Sequence, residues 1–401
     1  MTGFILSIVL AFTIMLVVSR WRLWVGVLAA CFVFGLLNFH WTEFLSLSFQ
    51  TTSSLPNWLL VAGVGLIPVL GTIMRESVHL NEILLRLRKR KKLYLIVTPL
   101  LFGLLPIPGG ALLSCPLMKG VDSKITGDHY VAINLWFRHL LVIVYPLSSS
   151  LIIGAQLAGL SIVKAVLTMI PVMLIMLVTG YIFLLKGLKD DKTFPSDNGK
   201  KLTGNKTVRT ILLFLTAPIL HILLSTTLLQ HYEQLSFFIA MFSSVTLALI
   251  SNRISFTKFL RLLKQSKIEQ FSLLFLFLLL FLNLVRSYNN LDTVFQGIQP
   301  PLYFVGFLAF VLTFISGRIE IALSIVYPFI FSVYEITTFS PLLFMFVYLS
   351  LFSGYLISPL HPCMAFSLEY FQTGYWRVFR IIFPLLLIPL LLVSLFFLWL
   401  H

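Results

Sequence analysis

Leu105-Pro106-Ile107-Pro108-Gly109-Gly110-Ala111 breaks one long apolar run, and Ile315-Ser316-Gly317-Arg318-Ile319-Glu320 breaks another at the matching place in the second half of the chain. A second interruption follows each: Val144-Tyr145-Pro146-Leu147-Ser148-Ser149-Ser150 after the first and Leu356-Ile357-Ser358-Pro359-Leu360-His361-Pro362 after the other. In hydrocarbon the backbone groups freed by such breaks have no water to bind. They persist only where protein encloses them or where they line a cavity. Interrupted hydrophobic segments at corresponding positions of two halves point to a carrier's binding site.

The bulk composition agrees. The 401 residues are 59% hydrophobic and 11% charged, more apolar surface than a soluble fold hides. A crossing takes about 20 apolar residues, so an all-α polytopic membrane protein follows, with no room for a soluble domain. The net charge of +15 does not imply nucleic acid, because the basic residues cluster in loops between spans. Cys31, Cys115 and Cys363 are too few and too scattered for a disulfide framework or a thiolate metal cage. The N-terminus lacks the basic stretch of a cleaved signal peptide.

Spans are read at 2–18, 22–38, 57–74, 132–159, 162–185, 209–230, 235–252, 270–287, 341–373 and 380–400. The pieces 93–119 and 300–333 each break near the middle, and half of either is too short to cross at 1.5 Å per residue. Each is read as a re-entrant hairpin. With the first loop (Arg20, Arg22) inside, all 29 Lys and Arg fall inside except Arg138, Lys164, Arg286 and Arg318. Both termini then lie outside a cell (plasma or inner) membrane. Each half holds five spans and a hairpin, and the hairpins enter from opposite sides. The expected organisation is an inverted repeat: 1–187, a basic cytoplasmic linker 188–208, and 209–401. Residues 254–268 are expected to form an interfacial amphipathic helix.

This order of elements resembles the ion-transporter superfamily of secondary carriers, which includes citrate, gluconate, dicarboxylate and arsenite carriers. Pro106-Ile107-Pro108-Gly109-Gly110 and Ser358-Pro359-Leu360-His361 are most similar to an uncharacterised prokaryotic membrane family within it. The resemblance implies an elevator carrier, a homodimer in which hairpins and broken spans form the moving part. The chain departs from the dicarboxylate branch, whose hairpins carry Ser-Asn-Thr.

Gly109 and Gly110 permit close approach of backbone to a ligand, and a half-helix from Ala111 would aim N–H groups at an anion. Two roles are open to Arg318: a substrate or coupling contact, or an internal pair with Glu320, itself a candidate coupling site. Asn134, Arg138 and Tyr145 are spaced to share a helical face, with His139 off it and expected to be packed. Ser148, Ser149 and Ser150 either satisfy freed backbone or bind substrate oxygens, and Ser358 sits at the equivalent break. His361 carries a coupling proton or caps broken-helix carbonyls. His361 and Cys363 alone do not make a metal site. The expected function is a non-enzymatic, ion-coupled secondary transporter of a small anionic solute. It needs no cofactor beyond H+ or Na+, and its partners are the bilayer, the solute and a second copy, not nucleic acid. The alternative is an intramembrane enzyme or a non-transporting assembly factor.

Overall fold

A computed structural model describes residues 2–18, 22–77, 90–103, 111–146, 148–188, 204–229, 232–288 and 300–400. Among them there is helix and no strand. The first half contributes α1 (Thr2–Val18), α2 (Leu23–Asn38), α3 (Trp41–Ser53), α4 (Leu55–Ser77), α5 (Lys91–Gly103), α6 (Ala111–Met118), α7 (Gly127–Leu140), α8 (Ser149–Leu157) and α9 (Ile162–Leu184). The second contributes α10 (Gly204–Thr226), α11 (Glu233–Ser251), α12 (Phe256–Ser266), α13 (Ile268–Arg286), α14 (Leu302–Ser316), α15 (Ile319–Tyr334), α16 (Pro341–Ile357), α17 (Pro362–Phe371) and α18 (Tyr375–Leu400).

Each apolar segment read from the sequence contains helix. Among the described residues six stretches are long and apolar enough to cross a bilayer: 55–73, 162–184, 233–251, 268–285, 341–371 (taken through its break) and 375–398. Serine hydroxyls cap three helix starts, Ser161 accepting from the Lys164 N–H, Ser255 from Lys258 and Ser340 from Leu343. Internal prolines such as Pro68, Pro171 and Pro328 do not end their helices. α12 carries Phe256 and Leu260 exposed, beside Lys258, Arg261 and Lys264, as the interfacial reading requires.

The packing partners of one half recur in the other. α1 packs on α2 as α10 on α11; α5 on α7 as α14 on α16; α7 on α9 as α16 on α18. Contacts between halves match too: α4–α11 with α2–α13, α9–α16 with α7–α18, and α8–α15 with α6–α17. Helices α1–α4 with α10–α13 form one group, and α5–α9 with α14–α18 a second. They meet where α13 touches α8 and α15, and where the Ile162 N–H at the start of α9 donates to Glu233 of α11 at 2.6 Å.

Within the second group two helix pairs approach closely. A methyl group on Gly103 of α5 would collide with the Arg138 carbonyl oxygen of α7, and one on Gly354 of α16 with the Phe310 carbonyl oxygen of α14. The loops order the ends of this group. The Phe339 N–H donates to the Ala158 carbonyl (2.9 Å), and Tyr130 stacks on Phe371 at 5.2 Å. Lys91 pairs with Asp122 at 3.0 Å, and the Lys124 N–H donates to the same carboxylate. The Lys124 amide, and then Lys91, hold the Asp122 carboxyl below its usual range. The Asp122 side chain is largely covered.

Candidate functional site

Two polar clusters lie inside the second group, both on one face of α16. The first forms where the break before α8 meets the start of α15. Ser148 and Ser150 share a hydrogen bond of 3.1 Å, and Ser150 bonds the Tyr348 hydroxyl at 3.0 Å. Ser149 donates to Glu320 Oε1 at 3.2 Å, joining the two halves of the chain. Tyr327 lies alongside, fully buried, its hydroxyl without a hydrogen-bond partner. A buried hydroxyl without a partner costs about 1–3 kcal/mol, which a ligand's polar group would offset.

The second cluster surrounds Arg138. This residue is 4% exposed, and its Nη1 has no hydrogen-bond partner. It interacts electrostatically with His361, Cys363 and the Tyr355 hydroxyl. His361, at the break before α17, is fully buried, and neither ring nitrogen makes a hydrogen bond of good geometry; the Tyr355 and Leu356 carbonyls are its nearest polar neighbours. Its ring lies 4.0 Å from Tyr355 and 4.7 Å from His139. His139 Nδ1 lies 2.7 Å from the Leu135 carbonyl. Tyr348 and Tyr355 are two turns apart on α16, about 10.5 Å along its axis, and Glu320 acts electrostatically on both hydroxyls. The clusters are therefore neighbours along one line, from the serines to the guanidinium.

Several expected site residues have other partners. Asn134 is saturated: it accepts from Ser114 (2.7 Å) and donates to Ser367 (3.0 Å) and Cys115 Sγ (3.3 Å), tying α6, α7 and α17 together. Ser358 donates to the Phe314 carbonyl at 2.7 Å and accepts from the Leu360 N–H, so it fastens its break to α14. Gly317, at φ +63°, closes α14 against Leu360. Of the two roles open to Arg318, the internal pair with Glu320 is not formed: the Arg318 side chain is exposed, and among the described residues no ion pair joins it to Glu320. It is the extended N-cap residue of α15 and acts electrostatically on the Tyr355 hydroxyl, whereas Arg138 is buried beneath α5. Tyr145 also departs from expectation, because α7 ends at Leu140, before the shared face reaches it. Gly109 and Gly110 lie outside the described residues.

His139, Tyr327, Tyr348, Tyr355 and Cys363 join the site without having been singled out for it. The two α16 tyrosines had a signal, a seven-residue spacing that keeps them on one face of an apolar helix. The meeting of His139 with His361 and Cys363 had none, since it depends on how α7 and α17 cross.

The chain belongs to the family described as "Protein of unknown function (DUF401)", which it matches over residues 5–400. No curated protein matches it. Among solved structures it is similar to the YdaH transporter of Alcanivorax borkumensis, described as having an unusual topology. The identity is 13%, the TM-score 0.54, and the match covers 88% of this chain and 86% of that one. At that identity the likeness is one of fold.

Proposed function

We propose that this protein is an ion-coupled secondary transporter of a small anionic solute, working by elevator-type alternating access. The observation that carries the reading is Arg138. A guanidinium at mid-membrane costs about 2.5–3.5 kcal/mol on insertion scales and is kept for a partner or a task. Here it is buried with a free Nη1. An anion bound between Arg138 and the Ser148–Ser150 hydroxyls would satisfy it, with Tyr327 and Tyr348 as further donors. The similar solved chain is named a transporter, which supports a transport reading through architecture alone.

In this reading 1–187 and 209–401 are inverted-topology repeats joined by the cytoplasmic linker 188–208. Support comes from the recurrence of packing partners, each helix of the first half matching the one nine places later. The hairpin arms α14 and α15, with 15 and 16 residues, span about 22 and 24 Å, short of a hydrocarbon core of about 30 Å. The loop contacts 158–339 and 130–371 pair ends that this topology puts on the same side, outside and inside respectively. Glu320 is the coupling site of the proposal, because it faces the hydroxyl cluster from the other repeat; His361 is the second titratable group there. The working unit is a homodimer in the plasma or inner membrane, with both termini outside. In detergent the protein part should have twice the chain mass of 45.6 kDa.

The test is uptake by purified protein in liposomes. Labelled mono-, di- and tricarboxylates and phosphate are offered with and without proton or sodium gradients, beside cations of similar size. Uptake of an anion that rises with one gradient is the expected result. Transport of the cations alone would overturn the anion reading, and gradient-independent uptake would overturn coupling.

A further inference from the structure

We infer that His139, His361 and Cys363 form a binding site for a transition-metal ion of borderline-to-soft character, of which Zn2+ is the case to test. Their ligand atoms lie within 4.8 Å of one another, and all three residues are buried. The donors come from opposite halves of the chain: His139 from the last turn of α7, His361 and Cys363 from the start of α17. A thiolate with two imidazoles is a ligand set that suits zinc or copper(I).

Two independent features prepare the site. The Leu135 carbonyl only accepts, so His139 Nδ1, 2.7 Å away, carries the ring proton and Nε2 keeps its lone pair. That is the outer-partner arrangement that orients a metal-binding histidine. His361 is fully buried with neither nitrogen well hydrogen-bonded, a state that a metal bond to one nitrogen relieves. Bonds of about 2.0–2.3 Å in a tetrahedron set ligand atoms roughly 3.3–3.8 Å apart. Closing from 4.8 Å needs about 1 Å, within reach of small side-chain rotations.

Arg138 opposes the metal and gives the inference its sharpest consequence. Zn2+ with one thiolate and neutral histidines carries a surplus positive charge, and the guanidinium beside it adds another. Three protein ligands leave a fourth position open. An anion there would offset both charges; this part alone rests on the transport reading. A bound metal also joins α7 to α17, so it would hold the two halves in one arrangement.

The experiment is titration of purified, chelator-stripped, full-length protein with Co2+, followed by Zn2+ competition. Expected are one Co2+ per chain, a thiolate-to-cobalt charge-transfer band, and displacement by Zn2+. The band should vanish in Cys363→Ser, weaken more than about a hundredfold in affinity in His361→Ala, and persist in Cys31→Ser and Cys115→Ser. His139→Gln serves beside His361→Ala should the latter fail to fold. Folded wild-type protein without the band, or a band that survives Cys363→Ser, would each overturn the site. The readout needs no transported solute, so its failure is separate from failure of the anion reading.

Discussion

Replacing Arg138 by Met separates a functional guanidinium from a structural one, because the two roles move stability in opposite directions. The substitution keeps much of the length and apolar stem and removes the charge. Arg138 is 4% exposed and lacks a partner at Nη1. An unpartnered buried polar group costs about 1–3 kcal/mol, and the charge itself about 2.5–3.5 kcal/mol at mid-membrane. Its attraction to Cys363 and Tyr355 offsets part of this. Arg138→Met should therefore be as stable as wild type, or more stable by about 1–3 kcal/mol. Anion affinity should move the other way. A lost charge-assisted contact of about 1.5–3 kcal/mol weakens binding roughly ten- to a hundredfold. Arg138→Lys should fall between, keeping charge but losing the planar fork. Thermal unfolding in detergent measures the first quantity, and concentration-dependent uptake in liposomes the second. An Arg138→Met protein that melts well below wild type, yet whose folded fraction takes up the anion with unchanged affinity, would refute the assignment and make Arg138 a packing residue.

Glu320→Gln should abolish the dependence of uptake on the ion gradient while leaving anion exchange across the liposome measurable; gradient-driven accumulation at the wild-type level would remove Glu320 from coupling. Gly354→Val should lower stability by about 1–3 kcal/mol or more, since the new side chain meets the Phe310 carbonyl, and an unchanged melting temperature would contradict that contact. The Asp122 carboxyl is held low in the folded state, so its contribution is present above the unfolded value of about 3.9 and is lost as pH falls through the lower folded one. The melting difference between wild type and Asp122→Asn should shrink below about pH 4, and a constant difference would show the pairing to be immaterial. In a background with Cys31, Cys115 and Cys363 replaced by Ser, an impermeant thiol reagent added to intact cells should label the exposed Thr337→Cys and not Lys186→Cys; the reverse pattern would invert the topology.

The breaks at 141–148, 317–318 and 358–361 were legible because proline, glycine and serine interrupt apolar runs there. The amphipathic helix at 256–266 was legible for a similar reason, its charges and apolar residues separating at helical spacing. Which arginine is buried was not. Arg318 and Arg138 both lie in apolar surroundings along the chain, and only the packing of α5 over Arg138 separates them. Asn134 and Ser358 read as ligand contacts because polar groups in such segments need partners; the partners turned out to be Ser114, Ser367 and the Phe314 carbonyl. The thiol and the two imidazoles met through a tertiary crossing that one-dimensional spacing does not encode.

The glycine contacts at residues 103 and 354 bear on where the molecule is able to shear. At both places one helix rests on a neighbour's carbonyl oxygen with no side chain between them. Sliding across such a contact drives atoms into backbone, so α5 travels with α7 and α14 with α16. A slip plane needs a cushion of pliable side chains instead. The leucine- and phenylalanine-rich surface of α13, where it touches α8 and α15, offers that cushion. Under the elevator motion proposed above, displacement along it would carry Arg138, the serine hydroxyls and Glu320 together, and would have to release the Ile162 N–H from Glu233.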